Sequence, residues 1–200
     1  MGVDFLFLAL GSPFDNGAAP VGDIVLYAVD ALVVSGKWQK EVNASAAGGA
    51  LLRHPNAGMA KRSVALAVPT DFFELTFLAE ANVPYHLWIR GKADSNSWAN
   101  DSVFVQFSGA SAYGVGTTSA TEINLENCSG CGLQGWGWQD NGYGLDVQGP
   151  TIMFTSTGPH TIRIQTREDG LSIDQIVLSS SRYLTAAPGP LKNDATILPK

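Results

Sequence analysis

Charge is scarce in this sequence and positive charge scarcest: 12 Lys and Arg stand against 18 Asp and Glu in 200 residues, for a net charge of -6 at pH 7. That balance repels a phosphate backbone, and the basic residues are scattered along the chain, so nucleic acid is excluded as a partner. Cysteine is nearly absent: Cys128 and Cys131 form a single Cys-Ser-Gly-Cys pair in a Gly-rich stretch. A structural zinc site needs four ligands, and His54, His86 and His160 have no paired spacing that would complete one. A redox pair would open a helix within a βαβ pattern, which is missing as well. A local loop disulfide or two free thiols are the readings left.

Long apolar runs are also lacking. The stretch Phe5 to Leu10 carries Asp4 beside it, has no basic leader and is too short to cross a bilayer, so it reads as an edge strand or the start of an expressed chain. A soluble protein with no membrane span is expected. No Gly-x-Ser-x-Gly elbow occurs and no Gly-rich loop precedes a helix. Glu74, Glu122, Asp140 and Glu168 could supply carboxylates for glycoside cleavage, but their spacing does not bring any two to a working separation. The chain is therefore read as a non-enzyme. Neither a fixed-period repeat nor a heptad pattern is present, which removes solenoids, propellers and coiled coils.

What is present is apolar material for a core, 45% of residues with five Trp and nine Phe, cut into short pieces by 22 Gly and 10 Pro. Such punctuation belongs to many short strands. Phe73, Leu75 and Phe77 alternate with Glu74 and Thr76; Val103, Val105 and Phe107 alternate with polar neighbours; Tyr85, Leu87 and Ile89 alternate with His86, Trp88 and Arg90. Each predicts a half-buried strand. Ile162 and Ile164, the turn residues Glu168-Asp169-Gly170, then Leu171 and Ile173 read as a hairpin, with a phase slip before Ile176 that a bulge near Asp174-Gln175 would explain. Residues 1–22 and 184–200 read as linkers around one domain at 23–183, as in a module cut from a longer chain. The fold class is all-β, two packed antiparallel sheets.

Four pieces in order, Asp23 to Asp30 leading to Ala47 to Leu52, Pro84 to Arg90 leading to Asn100 to Gln106, Trp136-Gly-Trp138, and His160 to Asp174, resemble the galactose-binding-like β-sandwiches. More narrowly they are similar to non-catalytic carbohydrate-binding modules of bacterial secreted and surface proteins. The resemblance spans nearly all of residues 23 to 180. It implies a jelly roll, a glycan or polysaccharide as partner, an extracellular or cell-surface location, attachment to a larger multidomain protein, and a structural calcium tying the first strand to the last. The implied metal ligands are Asp174 and Asp30; Tyr27 and Val29 stand where many relatives carry glutamates.

Sugar recognition needs a flat apolar face for pyranose C–H groups and planar polar groups for hydroxyls. Trp98, in a polar loop, is the leading candidate platform. Trp136 and Trp138, two apart and on one strand face, are either further platforms or core. Asn100, Asp101, Asp140 and Asn141 are candidate hydroxyl partners, with an Asx turn as the other reading of Asn100 and Asp101. Arg90 and Arg167 are candidate clamps for a uronate carboxylate or a diol, Arg167 equally able to pair locally with Glu168 and Asp169. A structural or adhesive module, with the tryptophans forming a protein interface, is the alternative.

Overall fold

A computed structural model describes residues 22–200; the Phe5 to Leu10 stretch lies outside the described residues. Eleven strands are seen among them: β1 (Ile24–Tyr27), β2 (Val33–Ser35), β3 (Gln39–Val42), β4 (Ala50–Arg53), β5 (Phe72–Ala79), β6 (His86–Ala93), β7 (Ser102–Phe107), β8 (Thr121–Asn124), β9 (Gly137–Asp140), β10 (Gly158–Thr166) and β11 (Leu171–Ser179). They form two antiparallel sheets. One runs β3-β4-β11-β6-β9, with β1 also on β11; the other runs β2-β5-β10-β7-β8. The two-sheet sandwich expected from the alternating pattern is the fold observed.

The alternation explains the packing. Phe73, Leu75 and Phe77 on β5, Val103, Val105 and Phe107 on β7, and Ile162 and Ile164 on β10 project from one sheet. Leu87 and Ile89 on β6 and Leu171, Ile173, Ile176 and Leu178 on β11 meet them from the other, and Tyr85 joins just ahead of β6. Burying each of these side chains contributes about 1.5–3 kcal/mol of transfer free energy, which makes this shared interior the principal stabilising layer.

Two sequence expectations are corrected here. The His160 to Leu178 segment is not a hairpin: β10 pairs with β5 and β7, whereas β11 pairs with β1, β4 and β6. The turn after Thr166 carries the chain from one sheet to the other, so the two isoleucine rows face each other across the core. Gly170, at φ +83°, makes that crossing, and a Cβ on it would meet Asn100 Cγ at 2.8 Å. The bulge is where the phase slip indicated, with the β11–β6 register shifting between Ile173 and Gln175.

The second correction concerns residues 184–200, read as a linker. They form a strap along the outer face of the six-stranded sheet. Trp138 N–H donates to Pro190 O at 3.0 Å, Asn193 N–H to Gln134 O at 2.7 Å and Asp194 N–H to Trp136 O at 2.9 Å, so the strap hydrogen-bonds to β9 and the residues just before it. Leu198 is buried against Trp88, Trp138 and Val177, and its backbone exchanges hydrogen bonds with the Gln175 amide at 2.8 and 3.1 Å. Pro and Gly in this segment suit an extended strap lying close to a sheet as well as they suit a linker.

Candidate functional site

The loop between β6 and β7 holds Trp98 out into solvent while fixing its own backbone. Ser97 N–H donates to Asp94 O at 3.1 Å, Asn100 N–H to Ser97 O at 3.0 Å, and Asp94 N–H to Gly170 O at 2.9 Å. Asn96 Oδ1 accepts from Gly135 N–H at 2.9 Å, and Arg53 Nη2 pairs with Asp94 Oδ2 at 2.5 Å. Trp98 nevertheless remains 66% exposed. A large apolar ring on a pinned loop has lost little freedom still to be lost on binding, which suits a stacking platform.

Beside Trp98 lies a shallow hollow lined also by Lys61, Asp101, Asn124, Glu126 and Tyr143. It shares Lys61, Asn124 and Tyr143 with a cleft of about 390 Å³ that adds Glu122, Asn141, Gly142 and Arg167. Tyr143, 55% exposed, gives this region a second aromatic face. Five separate chain segments therefore converge here: the β4–β5 loop, the β6–β7 loop, β8 and the start of the β8–β9 loop, the β9–β10 loop, and the crossing after β10.

Asp101, which lines the hollow, is backed by the buried carboxylate of Glu168. Asp101 Oδ2 accepts from Glu126 N–H at 2.8 Å, and Glu168 Oε2 accepts from Ser102 Oγ–H at 2.5 Å. Glu168 Oε1 pairs with Lys61 Nζ at 2.8 Å. Burial pushes Asp101 up to about 7; the Glu126 N–H opposes this and the neighbouring Glu168 carboxylate adds to it. Burial also opposes ionisation of Glu168, but Lys61 and Ser102 outweigh it and hold Glu168 below its ordinary value. The two carboxyl groups are thus pushed in opposite directions, Asp101 up and Glu168 down.

Arg167, which lines the cleft, spends its guanidinium on protein partners: Nη1 donates to Ser102 Oγ at 2.7 Å and Asn124 Oδ1 at 3.1 Å, and Nη2 pairs with Glu122 Oε2 at 3.1 Å. Asn141 lines the cleft while its Nδ2 donates to Thr121 Oγ1 and Pro150 O, both at 3.1 Å. Trp98, Asp101, Asn141 and Arg167 are thus brought together. Lys61, Asn124, Glu126 and Tyr143 belong with them and were not singled out from sequence, and Glu168, which the sequence offers as a cleavage carboxylate and a turn residue, joins them through Lys61 and Asp101. Only Tyr143, in the Gly-rich run after Trp138, carried any local signal; the rest converge through tertiary structure.

The other candidates lie elsewhere and are corrected. Asn100 is buried and donates through Nδ2 to Asp94 O at 3.2 Å, closing its own turn. Asp140 is buried, accepts from Gly142 N–H at 2.9 Å and Gly149 N–H at 2.8 Å, and pairs with His86 Nε2 at 2.8 Å. Burial works against its ionisation, yet His86 and those two N–H groups keep it below its ordinary value. It organises the β9–β10 loop.

Trp136 and Trp138 are both buried, Trp138 under the strap and Trp136 against the β3–β4 segment. Trp138 is fully buried and its Nε1–H donates to Thr196 O at 3.4 Å; Trp136 is buried against Ala46 and Leu51 and donates to Ser45 Oγ at 3.0 Å. The glycine between them serves the strap: a Cβ on Gly137 would run into the Leu191 carbonyl.

Arg90 is buried with them. Its Nε donates to Asp194 Oδ2 at 2.5 Å, its Nη2 to Asp194 O at 3.2 Å, and its Nη1 pairs with Asp174 Oδ2. It is a structural ion pair, not a clamp for sugar. Asp174 and Asp30 do not make a calcium site either. Asp174 Oδ2 also accepts from Ala47 N–H at 2.8 Å, whereas Asp30, half-exposed, pairs with Lys200 Nζ. One Asp174 oxygen, Oδ1, is buried without a partner, far short of the six to eight oxygens calcium takes, and it lies on a carboxylate already facing a guanidinium. Among the described residues no group of three or more His, Cys, Asp or Glu is placed to hold a metal ion.

No protein-family model and no curated protein matches this sequence. Solved structures do. The GH26-CBM35 β-(1,4)-mannanase of Podospora anserina superposes with a TM-score of 0.52 over 80% of this chain at 16% identity, the match covering 28% of the mannanase. The C-terminal CBM6 of LamC, a marine laminarinase from Zobellia galactanivorans, gives 0.48 over 78% of this chain and 98% of its own at 15% identity. The CBM6cm-2 module of Cellvibrio mixtus lichenase 5A, solved with cellotriose, gives 0.49 over 80% and 98%, also at 15% identity. What the chain shares with the mannanase is the fold. The two-sheet antiparallel sandwich expected from the sequence agrees with it.

Proposed function

We propose that the chain is a non-catalytic carbohydrate-binding module whose sugar site is the cleft between Trp98 and Tyr143. The observation that carries this is a pinned, solvent-facing indole at the lip of a cleft with amides and carboxylates on its floor, on a fold shared with a CBM35-bearing mannanase. Pyranose C–H groups stack on Trp98 and Tyr143, and Asn124, Asn141 and Asp101 meet hydroxyls. The cations of the cleft are already paired, Lys61 with Glu168 and Arg167 with Glu122, while Asp101 and Glu126 add carboxylates. The site therefore suits an uncharged glycan and disfavours uronates.

No catalytic role is assigned to the acidic pair. Asp101 and Glu168 are side-chain neighbours, whereas glycoside hydrolysis needs carboxyl groups at least about 5 Å apart, on either side of the bond. In this reading the chain anchors an attached protein to an extracellular polysaccharide, and the Cys128–Cys131 disulfide agrees with an oxidising compartment. Binding of wild type and Trp98→Ala to a panel of neutral and uronate polysaccharides tests it: retention of neutral chains by wild type and loss in the variant, with unchanged melting temperature, is expected. Equal binding by both would refute the site.

A further inference from the structure

Arg90 occupies the centre of the joint between the strap, the bulge of β11 and the β3–β4 loop. Its guanidinium is surrounded by oxygens: Asp174 Oδ2 from the bulge of β11, Asp194 Oδ2 and O from the strap, and Ser45 O at 3.5 Å from the β3–β4 loop. The Trp136 ring stacks on it with the guanidinium carbon 4.6 Å from the ring centroid. The loop that brings Ala47 N–H to Asp174 turns through Gly48 and Gly49, at φ +68° and +75°, and packs on Tyr27, whose hydroxyl donates to Leu198 O at 2.9 Å. The closing strand, the strap and the β3–β4 loop thus meet around one buried positive charge supplied by the chain, and β1 joins them through Tyr27 and its ladder with β11.

We propose that Arg90, held between Asp174 and Asp194, is the internal cation that locks the strap to the closing strand, so that with β1 already paired to β11 closure of this sandwich is independent of calcium. A divalent ion at Asp174 would have to sit against a guanidinium that already makes four oxygen contacts, and like charges that close repel in a water-free site. The strap is then a working part of the domain, fixed by the same charge. Without Asp194, Arg90 would keep its burial and lose half of its neutralisation, and breaking a buried pair from one side is strongly destabilising.

Thermal unfolding of the full chain tests this in two arms. Wild type in EDTA and in excess calcium should melt at the same temperature, within about 1 °C; a calcium-dependent rise beyond that would overturn the proposal, because ligand binding to the native state must raise the midpoint. Asp194→Asn, which keeps shape and removes the charge, should lower the midpoint by roughly 10 °C and open residues 184–200 to limited proteolysis. An unchanged midpoint with a protected strap would also overturn it. The wild-type arm decides the calcium question even if the variant does not fold. Neither arm depends on sugar binding.

Discussion

Trp98 and Trp138 carry the same indole, and what lies above each decides its role. Over Trp138 runs the strap; over Trp98 there is solvent. Trp138→Ala should therefore cost about 3–5 kcal/mol of stability, read from urea unfolding, as expected for an emptied buried aromatic site. Trp98→Ala should leave the urea midpoint unchanged. Equal midpoints for Trp138→Ala and wild type would refute the buried role of Trp138.

Asp101 carries a pH signature at the same scale. Its folded pKa, about 7, lies above the ordinary carboxylate value near 4. The folded state then holds a proton that the unfolded chain has released. The stabilisation from this group is full below the unfolded pKa and is lost as pH rises through about 7. Between about pH 4 and about pH 7 wild type should lose stability relative to Asp101→Asn; parallel curves would refute the raised pKa of Asp101. None of this was legible in sequence, because Asp101 and Glu168 are 67 positions apart and only the folded chain places them together.

Strands were the most legible elements. Period-two alternation identified the inward rows of β5, β6 and β7, because the pleat sends alternate side chains to opposite faces. It says which face a residue takes but not which strand lies alongside. The run from β10 to β11 therefore read as a hairpin when each strand sits in the interior of its own sheet. The strap was illegible for a different reason. Its hold comes from backbone groups of Pro190, Asn193 and Asp194 and from a few buried side chains, and a Pro-Gly segment looks the same whether it is docked or free. Gly137→Ala tests the docking directly. With the Leu191 carbonyl in the way of any Cβ, the variant should melt several degrees lower, by roughly 1–3 kcal/mol of steric cost, and an unchanged midpoint would mean that the strap does not lie against β9.

At the scale of the whole molecule the Trp98–Tyr143 cleft gathers five chain segments, one of them tied through Glu126 to the disulfide-bearing loop. In the proposed reading a shallow site of this kind would bind modestly alone, since a stacking ring adds on the order of 1 kcal/mol beyond area burial, and repeated or tethered copies would raise the effective affinity. The acidic surplus of the chain and the paired cations of the cleft point the same way, toward uncharged chains. The most direct test is an immobilised-glycan array probed with wild type beside the equally stable Trp98→Ala variant. Wild-type retention on a defined set of neutral polysaccharides, lost in the variant, is the expected result; no retention by wild type, or retention unchanged by removing the indole, would contradict it.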